Sequence, residues 1–177
     1  MVKKTAIFFA YTFFFLLALM YFTPKSSVYF FLEEKLKQAD VVISSEQLED
    51  KGLTLGIANA DLSFKSISSA KIDKATITFF AVYNSLNLNG VTLSSAANAY
   101  VPLDIENAKI VYSILNPLNA KINAVGEFGE LTGEFNVVDN TLHLKVNPSK
   151  EMIKNYQSSL KKLGKTENGE FIYDKTF

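Results

Sequence analysis

The chain has no cysteine and no arginine, and it has a single histidine. Without cysteine there is no disulfide, no thiolate zinc site, no thiol nucleophile and no lipidated cysteine. All 18 basic residues are lysines, set against 18 acids for a net charge of zero. Without guanidinium groups there is no bidentate fork for phosphate, carboxylate or guanine, which argues against nucleic acid as a partner. Four prolines and eight glycines leave little low-complexity linker, and 48% hydrophobic residues are enough for a packed core.

Charge is also missing from one long run. AIFFAYTFFFLLALMYF, Ala6 to Phe22, carries no charged residue, with Lys3 and Lys4 before it and Pro24-Lys25 after it. As a helix it rises ~26 Å, enough for a thin bilayer core. A cleaved signal peptide has the same order of charge, but its apolar core is shorter and ends in a small-residue cleavage site. The expectation is an uncleaved anchor through residues 6–22 in a bacterial inner membrane. The two leading lysines stay in the cytoplasm, and the remainder lies in the periplasm.

Beyond the anchor (1–25), residues 26–52 are expected to form a linker with short helices. In SVYFFLEEKLKQA, Val28, Phe31, Leu32, Leu36 and Ala39 fall near one helical face, suited to a membrane interface or to a packed first helix. Ser44 and Gln47 make a capping box with Gly52 as a stop, predicting a second short helix.

From Leu53 the period becomes two, and residues 53–147 are expected to be an antiparallel β domain. Leu53, Leu55 and Ile57 are followed by Ala60, Leu62 and Phe64, so the alternation slips one step and predicts a bulge near Ile57. Asn89-Gly90 predicts a hairpin turn. Ala97, Ala99, Val101, Leu103 and Ile105 alternate as a strand does. A weak repeat links Ile57-x-x-Ala60-x-Leu62-x-Phe64, Ile72-x-x-Ala75-x-Ile77-x-Phe79 and Ile105-x-x-Ala108-x-Ile110-x-Tyr112. Either similar strands face a similar core, or a strand-pair unit has been duplicated. The tail, 148–177, is expected to hold a basic amphipathic helix running from Ser149 to Gly164. A turn at Asn168-Gly169 and a short strand at Phe171–Tyr173 follow.

The expected fold class is therefore mainly β: a transmembrane helix, then a curved, sandwich-like antiparallel meander with short flanking helices. Catalytic chemistry is thin. His143 sits alone in TLHLKV on the polar side of its strand, Asp104 and Glu106 merely flank Ile105, and no nucleophile, nucleotide or zinc motif is present. No enzyme, cofactor or metal site is expected. The stretch GEFGELTGEF is glycine-rich, but no helix follows to complete a phosphate loop. It predicts instead a type II′ hairpin centred on Gly129-Glu130. That register sets Phe128 opposite Leu131, Gly126 opposite Gly133 and Ala124 opposite Phe135. These six residues, Ala124, Gly126, Phe128, Leu131, Gly133 and Phe135, are the candidate apolar groove, with the two facing glycines as a thin place able to take an acyl chain.

The segment IENAKIVYSILNPLNAKINAVGEFGELTGEFNVVDNTLHLKVNPS follows an N-terminal anchor. Through its NPLNAKI stretch and its G-x-L-x-G-x-F hairpin it resembles the general secretion pathway protein N family, over roughly residues 100 to 150. Those are non-enzymatic inner-membrane accessory proteins of type II secretion with an AsmA-like, β-rich periplasmic region. The resemblance implies inner-membrane or periplasmic protein partners. The alternative is a lipid-handling or lipopolysaccharide-transport module, AsmA-like or LptC-like, with lipid as its partner.

Overall fold

The structure is a computed structural model and describes residues 2–166 and 170–177. Two helices lead, α1 (Val2–Phe22) and α2 (Lys25–Gln38). Strands β1 (Val41–Ser44), β2 (Gln47–Asp50), β3 (Thr54–Phe64), β4 (Ile67–Phe80) and β5 (Tyr83–Leu93) follow. A 3₁₀ turn, Ser95–Ala99, precedes β6 (Asp104–Ser113), β7 (Asn116–Gly126), β8 (Gly129–Asn136) and β9 (Thr141–Pro148). Two short helices, α3 (Lys150–Asn155) and α4 (Gln157–Leu160), then lead to β10 (Gly164–Lys165) and β11 (Phe171–Thr176).

All the strands belong to one open, 11-stranded antiparallel sheet in the order β1-β3-β4-β5-β6-β7-β8-β9-β11-β10, with β2 also on β3. The mainly antiparallel β fold is as expected. It is one sheet with helices at its margins, so the sandwich-like arrangement is corrected. Period-two alternation produces such a sheet because successive side chains point to opposite faces, one apolar and one polar.

α1 is apolar all round: Lys3–Phe22 has mean hydropathy 2.0 and none of it is buried. Its 20 residues rise ~30 Å, the thickness of a hydrocarbon core. α2 runs back along the sheet, from Lys25, which meets Asp50, to Asp40, whose carbonyl accepts from the Lys65 N–H. Tyr29 packs into the core with Leu55, Ile57, Ala60 and Ala75, and it donates to Glu46 at 3.3 Å. Burial, reinforced by the Glu46 carboxylate, pushes the Tyr29 phenol well above its ordinary range. The expected apolar face of α2 is not the packed one: Phe31, Leu32 and Leu36 stay exposed while Lys25 and Tyr29 are buried.

The Ile-x-x-Ala repeat has a single geometric cause. Asn59, Asp73, Gly90 and Glu106 stand opposite one another across β3–β6, and each is skipped in the ladder at that row. Asn59 (φ 56) and Gly90 (φ 64) take the left-handed conformation there. On either side of this row the inward parity changes, from Ile57 to Ala60 and from Ala75 to Ile72. β7 lacks the extra residue, and the β6–β7 register slips between Ile105 and Asn107 to absorb it. The irregularity expected near Ile57 is thus at Asn59, with a second slip between Leu62 and Ser63.

The same row corrects the turn expected at Asn89-Gly90. Those residues lie inside β5, where Gly90 serves the kink, and the hairpin turns fall elsewhere. Lys65 and Ser66 both have positive φ between β3 and β4, the conformation of a type I′ turn. The second short helix expected around Ser44–Gly52 is β2. Its only large apolar residue, Leu48, packs on the core from the strand, which outweighs a local capping box worth ~1 kcal/mol.

The alternation from Ala97 to Val101 is a 3₁₀ turn, since Pro102 offers no N–H to a ladder and is fully buried. The single C-terminal helix is broken at Tyr156 (φ -124, ψ 32), whose hydroxyl reaches Asn98 at 2.9 Å. Its start is as expected, with Ser149 accepting from the Met152 N–H at 3.1 Å. Gly164 opens β10 rather than only ending a helix. The final strand runs longer than expected, and the Asn168-Gly169 turn lies outside the described residues.

Candidate functional site

Register carries the apolar face across the sheet in rows. One row runs Leu55, Ile77, Leu86, Ile110, Ile122, Gly133, Leu144, Tyr173. The next runs Ile57, Ala75, Leu88, Ala108, Ala124, Leu131, Val146, Phe171. Neither row holds a charged residue. At ~4.8 Å per strand the rows extend ~34 Å, about twice the depth of one leaflet's half of the hydrocarbon core. Burial is graded along them. Leu55 is 0% exposed beside α2, whereas Ile110 and Tyr173 are each 37% exposed.

At the α1 end the face opens into a groove. A cavity of ≈ 300 Å³ is lined by Leu19, Met20, Lys25 and Val28 from the helices and by Phe79, Phe80 and Asn84 from the β4–β5 hairpin. An adjoining hollow of ≈ 270 Å³ shares Phe79 and Asn84 and continues over Ile77, Leu86, Ile110 and Tyr112. Leu32 and Leu36 follow Val28 at four-residue steps, so the exposed stripe of α2 continues the helical side of this groove. A nearly uninterrupted apolar surface therefore begins where the membrane-spanning length of α1 ends.

The junction at that point is tightly bonded. Lys25 is 3% exposed, and its ammonium donates to the carbonyls of Met20 and Thr23 at the end of α1. Its backbone N–H donates to Asp50 Oδ2 at 2.6 Å, so Asp50 caps the start of α2 from β2. Asp50 Oδ1 also accepts from the Gly52 N–H at 3.0 Å. The Lys25 N–H is the main cause holding the Asp50 carboxyl below its ordinary range. A depressed folded value means that the stabilisation is present above the unfolded pKa of ~3.9 and is lost as pH falls through the folded value. Asp50→Ala is expected to lower stability by about 1 kcal/mol near neutral pH, a modest amount because the carboxylate is solvent-screened. Paired thermal melts of variant and parent should converge as the pH is taken below the folded pKa.

Five of the six residues expected to form the groove, Ala124, Gly126, Leu131, Gly133 and Phe135, lie on the half-buried apolar side of β7 and β8, but in another register, and the sixth, Phe128, falls in the turn. The turn is Glu127-Phe128, with Gly126 opposite Gly129, Ala124 opposite Leu131, Ile122 opposite Gly133 and Ala120 opposite Phe135. The slide is by an even number of residues, so the same side chains stay on the same face and alternation alone could not detect it. The thin place is also corrected. A Cβ on Gly133 would strike the His143 carbonyl, with Leu144 Cδ2 at 2.7 Å, and one on Gly126 would meet the Asp104 carbonyl oxygen at 2.6 Å. These glycines let neighbouring backbones and Leu144 approach. Phe135 instead packs edge-on to Phe177, with ring centroids 6.3 Å apart.

His143 lies on the polar face between cross-strand neighbours Glu134 and Asp174, its Nδ1 hydrogen-bonded to the Asp174 carboxylate. Asp104 accepts from the Thr92 hydroxyl at 2.9 Å. Glu106 is the residue at which the register slips, so the two acids are not matched positions on a regular strand. The α1-end groove residues Met20, Lys25, Phe79 and Phe80 were not among the sequence candidates. The Phe79-Phe80 pair beside an uncharged Ala81-Val82 turn was the available signal.

Comparison of the chain with protein-family models, with curated proteins and with solved structures gives no match.

Proposed function

We propose that this chain is a single-pass, membrane-anchored lipid-handling protein, of the AsmA-like or LptC-like kind, that receives acyl chains from the bilayer and holds them on its sheet. The observation that carries this reading is the continuity of apolar surface from the groove at Met20 and Phe79, where the Lys25 ammonium is taken up by backbone carbonyls, to Val146 and Tyr173. An acyl chain is the occupant this chemistry suits: the two rows supply apolar contact and no charge for a headgroup, and the groove opens beside the end of α1. Lys3 and Lys4 before the span support a cytoplasmic start, with the sheet in the periplasm of a bacterium and α1 in its inner membrane.

A photo-crosslinking side chain tests this in intact membranes. Placed at Ile110 or Ile122 it is expected to capture phospholipid, whereas at Lys109, on the polar face, it is not. Ala124→Trp fills the position between Ala108 and Leu131 and should reduce capture at Ile122 several-fold. Equal lipid capture at Ile110 and Lys109, or none at either apolar position, would overturn the reading. Type II secretion assistance is the second reading, favoured by the open outer edge of β1, whose free backbone groups suit strand addition by a partner. Protein adducts along Val41–Ser44 that contain secretion components, without lipid adducts at Ile110, would select it.

A further inference from the structure

The turns of this sheet differ sharply between its two ends. The end beside α1 carries the β4–β5 turn Ala81-Val82, the β6–β7 turn Ile114-Leu115, the β8–β9 turn at residues 137–140, and the C-terminal Phe177. These tips form one bonded row. The Ile114 N–H donates to the Val82 carbonyl, the Val137 N–H to Leu118, and the Phe177 N–H to Asn140. Their apolar side chains face outward: Leu115 is 93% exposed, Val138 65% and Phe177 69%. Asp139 is the only charged residue within these four tips, and Lys51 in the β2–β3 turn at residues 51–53 is the other charge in the turns of this end.

The opposite end is built otherwise. Its connections are Lys65-Ser66, the longer segment 94–103 with its 3₁₀ turn, and Glu127-Phe128, and α3, α4 and the residues just after them bring Lys150, Lys154, Lys161 and Lys162 there. Phe64, Ile67, Tyr100 and Ile153 are exposed at that end, but Phe64 and Ile67 flank the polar turn, Tyr100 lies under the Lys162 ammonium at 5.6 Å, and Ile153 sits among the lysines of α3. Near the α1 end, Lys175 stacks over the Phe177 ring at 4.8 Å, and Tyr21 lies against Gly52. Lysines and aromatics bordering an apolar layer are the residues that settle at the headgroup level of a bilayer.

We propose that the sheet stands on the membrane: its α1-end turns, with Leu115 and Val138 foremost, dip into the interfacial layer of the bilayer that α1 spans. Two-residue turns ordinarily use asparagine and glycine, and an isoleucine-leucine tip in water leaves large apolar side chains without partners. The occupant is lipid because the row is continuous with the end of α1, which fixes its height at the bilayer surface. Seated this way, the groove beside Phe79 opens directly onto the acyl layer. Insertion of the turns requires α1 in a bilayer but no acyl chain on the sheet, so either idea can fail without the other.

The native chain has no cysteine, so single-cysteine labelling needs no background changes. The full chain, carrying Leu115→Cys, Val138→Cys or Ser66→Cys and an environment-sensitive fluorophore, is reconstituted in phosphatidylethanolamine/phosphatidylglycerol vesicles. Labels at the first two positions are expected to shift to the blue and to lose roughly half their emission to nitroxide-bearing lipid, as for groups within ~5–10 Å of the headgroup boundary. The label at position 66 should do neither. Leu115 is almost fully exposed, so its replacement removes no packing, and strand content by circular dichroism verifies the fold of each variant. Emission at positions 115 and 138 matching that at 66 would overturn the proposal.

Discussion

Leu55→Ala is expected to destabilise the protein by about 3 kcal/mol, within the ~2–5 kcal/mol range for removing a fully buried leucine side chain. Leu55 has no exposed surface and sits where Tyr29 of α2 meets β3 and β4, in the buried cluster that helix and sheet share among the described residues. Little around it can collapse into the void, because Ile77 and Ile57 are held by their own ladders. A chain of this size should lose ~6–12 °C in Tm, read by far-UV dichroism in detergent. Ile110→Ala in the same row is the comparison. Ile110 is already 37% exposed, and its loss should cost about 1 kcal/mol or less. Equal losses at the two positions would show that burial along the row is not graded.

Gly129→Val is expected to cost at least about 3 kcal/mol, for two independent reasons. Gly129 has φ 111, which a β-branched residue does not adopt without strain. A Cβ there would also meet backbone atoms at the end of β9 and just beyond it: the Asn147 carbonyl, and the Ser149 nitrogen at 2.6 Å. Backbone cannot rotate away as a side chain can. The damage should spread to α3, because Ser149 both caps that helix and bonds to the Phe128 carbonyl at 2.9 Å. Gly164→Ala serves as the control, since its added Cβ would touch nothing closer than 3.6 Å. Its expected effect is within ~0.5 kcal/mol. Hydrogen exchange at Met152 and Ile153 amides would locate the Gly129 effect at the β9–α3 junction.

These two positions mark the limit of what the primary structure made legible. The apolar run before Pro24 and the alternation through β3–β9 are properties of near neighbours, and they give the anchor-length helix and the antiparallel sheet directly. The apolar face of β7 and β8 was legible for the same reason. The pairing across it was not, because a slide of even length leaves every side chain on the same face. What decides the register is contact with β6 and β9, where Gly126 and Gly129 each admit a neighbouring backbone. Asn89-Gly90 misled in a similar way: its left-handed preference is real, but the kink row across four strands uses it inside β5. In α2 the helical period was legible, but not that the sheet would take Lys25 and Tyr29 and leave Leu32 and Leu36 outside. The groove at the end of α1 needs α1, α2 and the β4–β5 hairpin to converge, and no window of adjacent residues contains all three.

The residues at Asn59, Asp73, Gly90 and Glu106 also tie together the lengths of four strands. Deleting Asn59 alone would turn Ala60 and Leu62 toward water and swing Asp61 and Ser63 inward, while Ile72 and Val91 kept their places. A shortened version that still folds must lose all four together, or recover alignment by a slip in an adjoining turn. Insertions and deletions in β3–β6 are therefore expected to be inherited in step, strand with strand, while β7–β9, beyond the slip at Glu106, are free to vary in length on their own.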